Sequence, residues 1–458
     1  MATGLWGQTA PPPPTQSDQA TVTEEHKVTP QEAKELFRSI DEILKFSSED
    51  TGLPIKHKVK RKLISRDEVV AYLTKHMSDD EDAQRLRRSE LVLKKFGLLP
   101  RGFDLQKFLV ALLREQVAGF YEPKSKTVNL LDWVDVEQQK PVLAHELTHA
   151  LQDQSFGLEK WMKDQDLTTK KDPTATDIEA DEISTARQAV VEGQAMVTLI
   201  DYTLAPMNKS LLNSPEVAEA LKQGMLVGTS DSIEFHNAPI FLKEALTFPY
   251  RYGLDFEAAL MKVSKQKAFT DVFKDPPKTT RQIMEPETYL SGERIEPMKL
   301  PDFAAVFKDY ERFDIGAMGE FDVAILVDQY AGVEASHRMY PHWRGGYYYA
   351  AKRKDDANAP LGLFYASRWS DSENAEKFAA IYAQSLAKRY SRAREAVADD
   401  ARPVELEKIE SLPGTHTFLT EEGPVVISTS GDTVLVSESL DPKVTEELER
   451  VVLPRKVD

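Results

Sequence analysis

His145-Glu146-Leu147-Thr148-His149 constrains this chain more than any other five residues in it. At about 100° per residue, histidines four apart lie within roughly 40° of each other and one turn apart, so both imidazoles can reach one point. Leu143, Leu147, Ala150 and Leu151 fall on the opposite side of a helical pattern that runs from Asp135 to Gln154. A helix of this kind buries its apolar side in a core and leaves the histidine side for a cleft.

Glu146 follows the first histidine directly, so it is badly placed as a ligand and well placed beside a water that a metal has acidified. Zinc lowers the pKa of such a water to about 7, and an adjacent carboxylate can take its proton as it attacks a carbonyl. The chemistry expected of the motif is therefore Zn2+-assisted amide hydrolysis with Glu146 as general base. A catalytic zinc needs a third protein ligand, and the best candidate is Glu192. It lies in a second helical pattern, Ile178 to about Leu204, in line with Ala189, Ala195, Met196 and Leu199. A carboxylate in an apolar stripe is costly unless a cation stands opposite it. Gly193 would let this helix approach the first one closely. Glu179 and Glu182 compete less well, because their acidic surroundings read as a solvated face, and the polar residues 157–176 read as a loop. Oxyanion stabilisation is expected from His236 or Tyr250, with Arg251 and Tyr252 as neighbours of the same kind.

Composition limits the partners. Lysine and arginine number 58 against 75 aspartates and glutamates, and a net charge of −17 repels polyanions, which argues against nucleic acid. The absence of cysteine excludes disulfides, thiolate metal sites and a cysteine nucleophile. No stretch reaches the ~18 apolar residues of a membrane helix, so no integral membrane segment is expected. The first residues, MATGLWGQTAPPPP, lack the apolar core of an export signal, and a leader removed upstream would leave the same sequence.

The expected class is α+β, in four parts. Residues 1–28 form a disordered Pro-rich leader, and 29–100 a mostly helical region that opens on the capping signature Thr29-Pro30-Gln31-Glu32. Lys56 to Lys62 reads as a solvated edge strand. Residues 101–300 hold the motif and a hairpin of Val117–Tyr121 with Thr127–Leu131, and 301–458 form a C-terminal α+β domain. There, Tyr347-Tyr348-Tyr349 is expected on a half-exposed strand face and His337 and His342 at the surface. A helix capped by Ser370 and Glu373 is expected to bury Ala375, Phe378, Ala379, Tyr382 and Leu386, and strands Pro424–Thr429 and Thr433–Ser437 to meet at Gly431-Asp432.

With HELTHALQDQ followed by VVEGQA, the chain resembles the zincin metallopeptidases, and among them the gluzincin pattern of two histidines plus a distant glutamate. Glu192 follows His149 by 43 positions, a longer gap than in thermolysin-like enzymes. More closely, the chain is similar to a group of largely uncharacterised bacterial metallopeptidases that share motifs here at Gly119–Pro123, His145–Gln154, Glu192–Ala195, Phe248–Gly253 and Pro276–Tyr289. That group carries His before Pro in the last motif, where this chain has Glu285-Pro286. The resemblance implies a zincin-like catalytic domain, Zn2+ held by His145, His149 and Glu192, Glu146 as general base, and a peptide or protein substrate. In zincins the strand before the metal helix commonly pairs with extended substrate, and the hairpin occupies that place; a simple sheet is the equal alternative. A catalytically inactive zincin-fold binding protein and a zinc hydrolase of non-peptide bonds are the competing expectations, and the oligomeric state stays open.

Overall fold

The computed structural model describes residues 27–69, 71, 80–116, 119–163, 173–228, 232–397 and 403–453. Almost all of the expected leader lies outside the described residues. Helix α1, Pro30–Thr51, begins at its expected cap: Thr29 Oγ1 accepts the Glu32 N–H at 3.3 Å, and Glu32 Oε2 accepts the Thr29 N–H at 2.7 Å. Its Leu36, Ile40, Ile43 and Leu44 pack against Leu143, Ala144, Leu147 and Leu151, so the apolar side of the motif helix meets α1.

A three-stranded sheet lies beside this pair in the order β1-β3-β2, from Lys60–Ile64, Phe120–Glu122 and Thr127–Leu131. β1 runs parallel to β3, and β2 returns antiparallel through the expected turn. β1 is an edge strand whose first three residues are exposed, in keeping with its basic side chains. Residues 117 and 118 of the expected hairpin lie outside the described residues.

Six helices build the larger part of the helical body: α2 (Asp80–Phe96), α3 (Leu105–Gln116), α4 (Val136–Phe156), α5 (Leu158–Lys163), α6 (Pro173–Leu204) and α7 (Ile240–Val263). Asp135 caps α4, accepting the N–H groups of Glu137 and Gln138. Of the expected loop 157–176, residues 158–163 form α5 and 173–176 begin α6, while 164–172 lie outside the described residues. Packing explains the difference: Leu158 is buried, Trp161 Nε1 donates to the Phe273 carbonyl at 2.9 Å, and Phe273 stacks on Phe156 at 3.9 Å. Gly193 also serves a different partner from the one expected. A side-chain carbon there would overlap the carbonyl of Gly253 on α7, and one at Gly253 would overlap the Ala189 carbonyl. The glycine pair brings α6 against α7, not against α4.

The C-terminal part is a seven-stranded antiparallel sheet in the order β4-β5-β6-β10-β9-β8-β7. The strands are Tyr310–Ala317, Trp343–Arg353, Gly362–Trp369, Ala393–Glu395, Thr415–Thr420, Gly423–Ser430 and Thr433–Glu438 in chain order. The tyrosine run is not half-exposed: Tyr347, Tyr348 and Tyr349 are all buried, because both faces of the sheet are covered. Tyr348, Tyr365, Val434 and Val436 join Phe378 and Tyr382 and the core of the helical body. Tyr347, Tyr349, Phe364 and Leu435 pack instead on Phe303, Phe307 and Leu448.

Helix α8, Thr280–Met284, and helix α9, Glu320–Ala331, close the seam between the helical body and this sheet. Glu182 is buried there and is no part of a solvated face: it accepts the Thr280 N–H at 2.9 Å and lies beside Asp322. Glu179 is exposed, as expected. Helix α10, Ser372–Arg389, buries all five expected residues, but its cap is Asp371, which accepts the Asn374 N–H at 2.9 Å, while Ser370 donates to Asp371 at 2.7 Å. Helix α11, Pro442–Val452, follows the β9-β10 hairpin. His337 is exposed, whereas His342 is half-buried.

Two expected outcomes follow from this packing. Gly253→Ala should lower stability by at least about 1–3 kcal/mol in urea titrations, because backbone rather than a flexible side chain must yield; an unchanged midpoint would remove the close crossing. Burial, with Asp322 next to it, pushes the Glu182 carboxyl up to about 8. A group raised in this way stabilises the fold fully below its unfolded value near 4.5 and loses that contribution as pH rises through about 8. Stability should therefore fall between pH 5 and 8 by an amount that Glu182→Gln, which keeps the acceptor for Thr280, largely abolishes.

Candidate metal centre

Two helices bring the expected ligands together. One turn of α4 separates His145 from His149, and α6 lies alongside with Glu192 near its middle. His145 Nε2 lies 3.0 Å from His149 Nε2 and 3.1 Å from Glu192 Oε2, and His149 Nε2 is 3.4 Å from the same oxygen. Among the described residues these three are the group whose ligand atoms lie close enough to hold one metal ion. All three are fully buried, so the histidine side of α4 does not face an open cleft: α6 covers it.

The charges at this point are those of a site built around a cation. Burial works against protonation of both histidines and holds His145 down, to about 4. At His149 burial is outweighed by the Glu192 carboxylate, which lifts it to about 9, and His149 in turn overcomes the burial of Glu192 and holds it near 2. A proton on His149 thus stands where a metal would. Glu192 Oε1 and His145 Nδ1 are buried without a hydrogen-bond partner. A nitrogen, nitrogen, oxygen donor set with an unsatisfied carboxylate oxygen fits zinc.

The neighbours of the trio fix its orientation. His149 Nδ1 faces Gln152 Oε1 at 2.9 Å, and Gln152 Nε2 donates to the Val191 carbonyl at 3.0 Å and to Gln194 Oε1 at 2.8 Å. Gln194 Nε2 then donates to the Ala268 carbonyl at 2.6 Å. Because Gln152 Oε1 can only accept, Nδ1 carries a proton and Nε2 is left to coordinate. The sequence reading missed both glutamines. The available signal was spacing, since Gln152 follows His149 by three residues on one helical face.

Glu146 is fully buried beside the trio, and its Oε2 accepts the Tyr121 N–H of β2 at 2.7 Å. The Tyr121 hydroxyl donates to Asp153 at 2.9 Å, which ties β2 to α4 a second time. The Tyr250 ring on α7 is half-buried, with its centroid 6.2 Å from that of His145. His236 is exposed at the end of the short helix Ile233–His236, and no hydrogen bond or ring contact joins it to the trio. Arg251 faces Glu244 at 3.8 Å and the Tyr252 ring, and Tyr252 packs on Phe248 with its hydroxyl pushed up to about 12 by burial. The structure thus brings Tyr250 to the centre and leaves His236, Arg251 and Tyr252 away from it. Glu285 pairs with Arg281 at 2.7 Å in a cluster with Glu293 and Glu320.

Residues 309–449 match the family described as Domain of unknown function (DUF8575), a span that covers the seven-stranded sheet and none of the trio. No curated protein and no solved structure matches the chain. Among the described residues no helix is long and apolar enough to cross a membrane.

A metal ion held by this group would have to displace the His149 proton. Apparent zinc affinity should rise about tenfold per pH unit up to about pH 9 and level off above it. Calorimetry at pH 7 in two buffers of different ionisation enthalpy should read about one proton released per zinc. A pH-independent affinity would contradict the arrangement.

Proposed function

We propose that the chain is a zinc-dependent peptidase of the zincin kind. The observation that carries this reading is the convergence of His145, His149 and Glu192 on one buried point with Glu146 next in sequence to the first ligand. Bound there, zinc would supply a Lewis acid that polarises a carbonyl and lowers the pKa of a water to about 7. The remaining steps belong to the chain. Gln152 holds the His149 ring in the coordinating tautomer. The Glu146 carboxylate takes the proton of the attacking water and passes it to the leaving amine. Tyr250 on α7, whose ring centroid lies 6.2 Å from that of His145, would donate from its hydroxyl to developing negative charge.

One observation favours a second reading. Glu146 is wholly buried and its Oε2 is already engaged by Tyr121, so substrate reaches the base only if β2 gives way. β2 is a three-residue edge strand paired on one side alone, and its displacement disrupts less of the fold than moving α4 or α6. A chain in which β2 stayed seated would hold zinc without cleaving anything.

Elemental analysis and a peptide-library screen separate the two. About one zinc per chain is expected, lost in the double substitution His145→Ala with His149→Ala. Glu146→Gln should keep the zinc and lower peptide hydrolysis by about 10²–10⁴-fold. Hydrolysis retained in zinc-loaded Glu146→Gln would refute the role of Glu146, and zinc bound by a wild-type chain that cleaves no peptide would establish the second reading.

A further inference from the structure

A cavity of about 620 Å³ opens at the seam between the helical body and the C-terminal sheet, lined by α2, the start of α7, and the ends of α9 and α10. Its volume suits a small molecule. Its charge is opposite to that of the whole chain: Lys94, Lys95, Arg101, Lys352, Lys388 and Arg389 line it, with Glu422 as the one acidic residue among the lining. Glu422 is shared by Lys95 at 2.8 Å and Arg101 at 2.6 Å, Glu438 by Arg389 at 2.7 Å and Lys95 at 3.8 Å, and Glu90 pairs with Lys94 at 2.5 Å. Three carboxylates thus answer four of the cations. Among the described residues Lys352 and Lys388 make no ion pair; they lie over the rings of Phe313 and Tyr330, at 4.6 and 5.7 Å, and Lys388 Nζ also donates to the Tyr330 carbonyl at 3.4 Å.

One further feature points the same way. Helix α7, 24 residues long, begins in the wall at Pro239-Ile240 with no side chain capping it, so the positive end of its dipole faces the cavity. Apart from Gln329, whose amide donates to the Gly97 carbonyl, the rest of the lining is apolar or aromatic, including Leu98, Leu99, Leu361 and Tyr330. Ile240 and Tyr250 are ten residues apart on α7, about 15 Å along the axis, so this cavity is separate from the metal centre.

We propose that the cavity binds a small organic anion with two or more negative charges and an apolar or aromatic body, a phosphate ester or a dicarboxylate. The lysines without carboxylates supply the charge, and the apolar wall the remaining contact.

Calorimetric titration of the full chain with adenosine diphosphate, phthalate and inorganic phosphate tests this. Saturable one-to-one binding of adenosine diphosphate, phthalate or both is expected, with inorganic phosphate, which lacks the apolar body, at least tenfold weaker, and which of the first two binds separates the phosphate ester from the dicarboxylate. Lys388→Glu should weaken binding at least tenfold and Lys388→Arg less than threefold. Lys443→Glu, on the exposed side of α11 over the opposite sheet face, makes the same change in net charge and should alter it less than twofold. Lys388 is exposed, so its variants keep the fold, which circular dichroism verifies. No saturable heat with adenosine diphosphate or phthalate at millimolar concentration would overturn the proposal, as would equal weakening by Lys388→Glu and Lys443→Glu.

Discussion

Glu192 is a carboxylate without solvent in the middle of a 32-residue helix, and the centre of this protein is organised around what that costs. Taking an ion of this size out of water costs several kcal/mol even after relaxation, and only an opposed cation offsets it. His149 provides that cation as a proton-bearing ring, and the proton is stabilised in turn by the same carboxylate. Neither group would hold its charge alone at full burial. A divalent ion held there would offset the same burial cost, and Glu192 Oε1 is left without a hydrogen-bond partner to meet it.

Burying the pair required helices to approach closely and stay rigid. The Gly193–Gly253 contact sets α7 against α6 and places Tyr250, three residues before Gly253, near His145. The glutamine chain from His149 through Gln152 and Gln194 to the Ala268 carbonyl spans α4, α6 and the segment after α7. Each link joins groups that would otherwise be unsatisfied in the core. The site is thus held by three helices, while the small sheet contributes one N–H to Glu146. Glu146 and Glu192 are equally buried, and both carboxylates raise His149, Glu192 the more strongly.

Local rules made part of this legible from sequence. The Thr29 to Glu32 cap, the apolar side of α4 and the buried side of α10 depend on spacing within one helix, and the structure keeps them. The errors concern which element covers which surface. Gly193 was recognised as a point of close approach, but its partner lies 60 residues away. Glu182 looked solvated because its neighbours in sequence are acidic, whereas its neighbours in space are Thr280 and Gly319. The tyrosine run reads the same whether one sheet face or two are covered, and only Phe303, Phe307 and Leu448 on the second face decide it. The Asp371 cap is a one-residue slip between two residues that both cap well.

The seam between the two parts carries more than structural weight. Residues matched by the domain of unknown function supply Lys352, Lys388, Arg389 and Glu422 to the basic cavity, and the helical body supplies Lys94, Lys95, Arg101 and the start of α7. Neither part contains the cavity alone. One apolar core runs through the same seam, with Phe96 of α2 edge-on to Tyr348 and Tyr365 of the sheet at 5.8 and 5.6 Å. A charge-lined space within so apolar a junction costs stability through the repulsion of its own cations, since three carboxylates answer only four of the six. A seam selected for stability alone would have closed that space with apolar side chains, as it did a few residues away. An excess of positive charge kept open in a chain with a net charge of −17 is the mark of a surface whose complement comes from outside the chain.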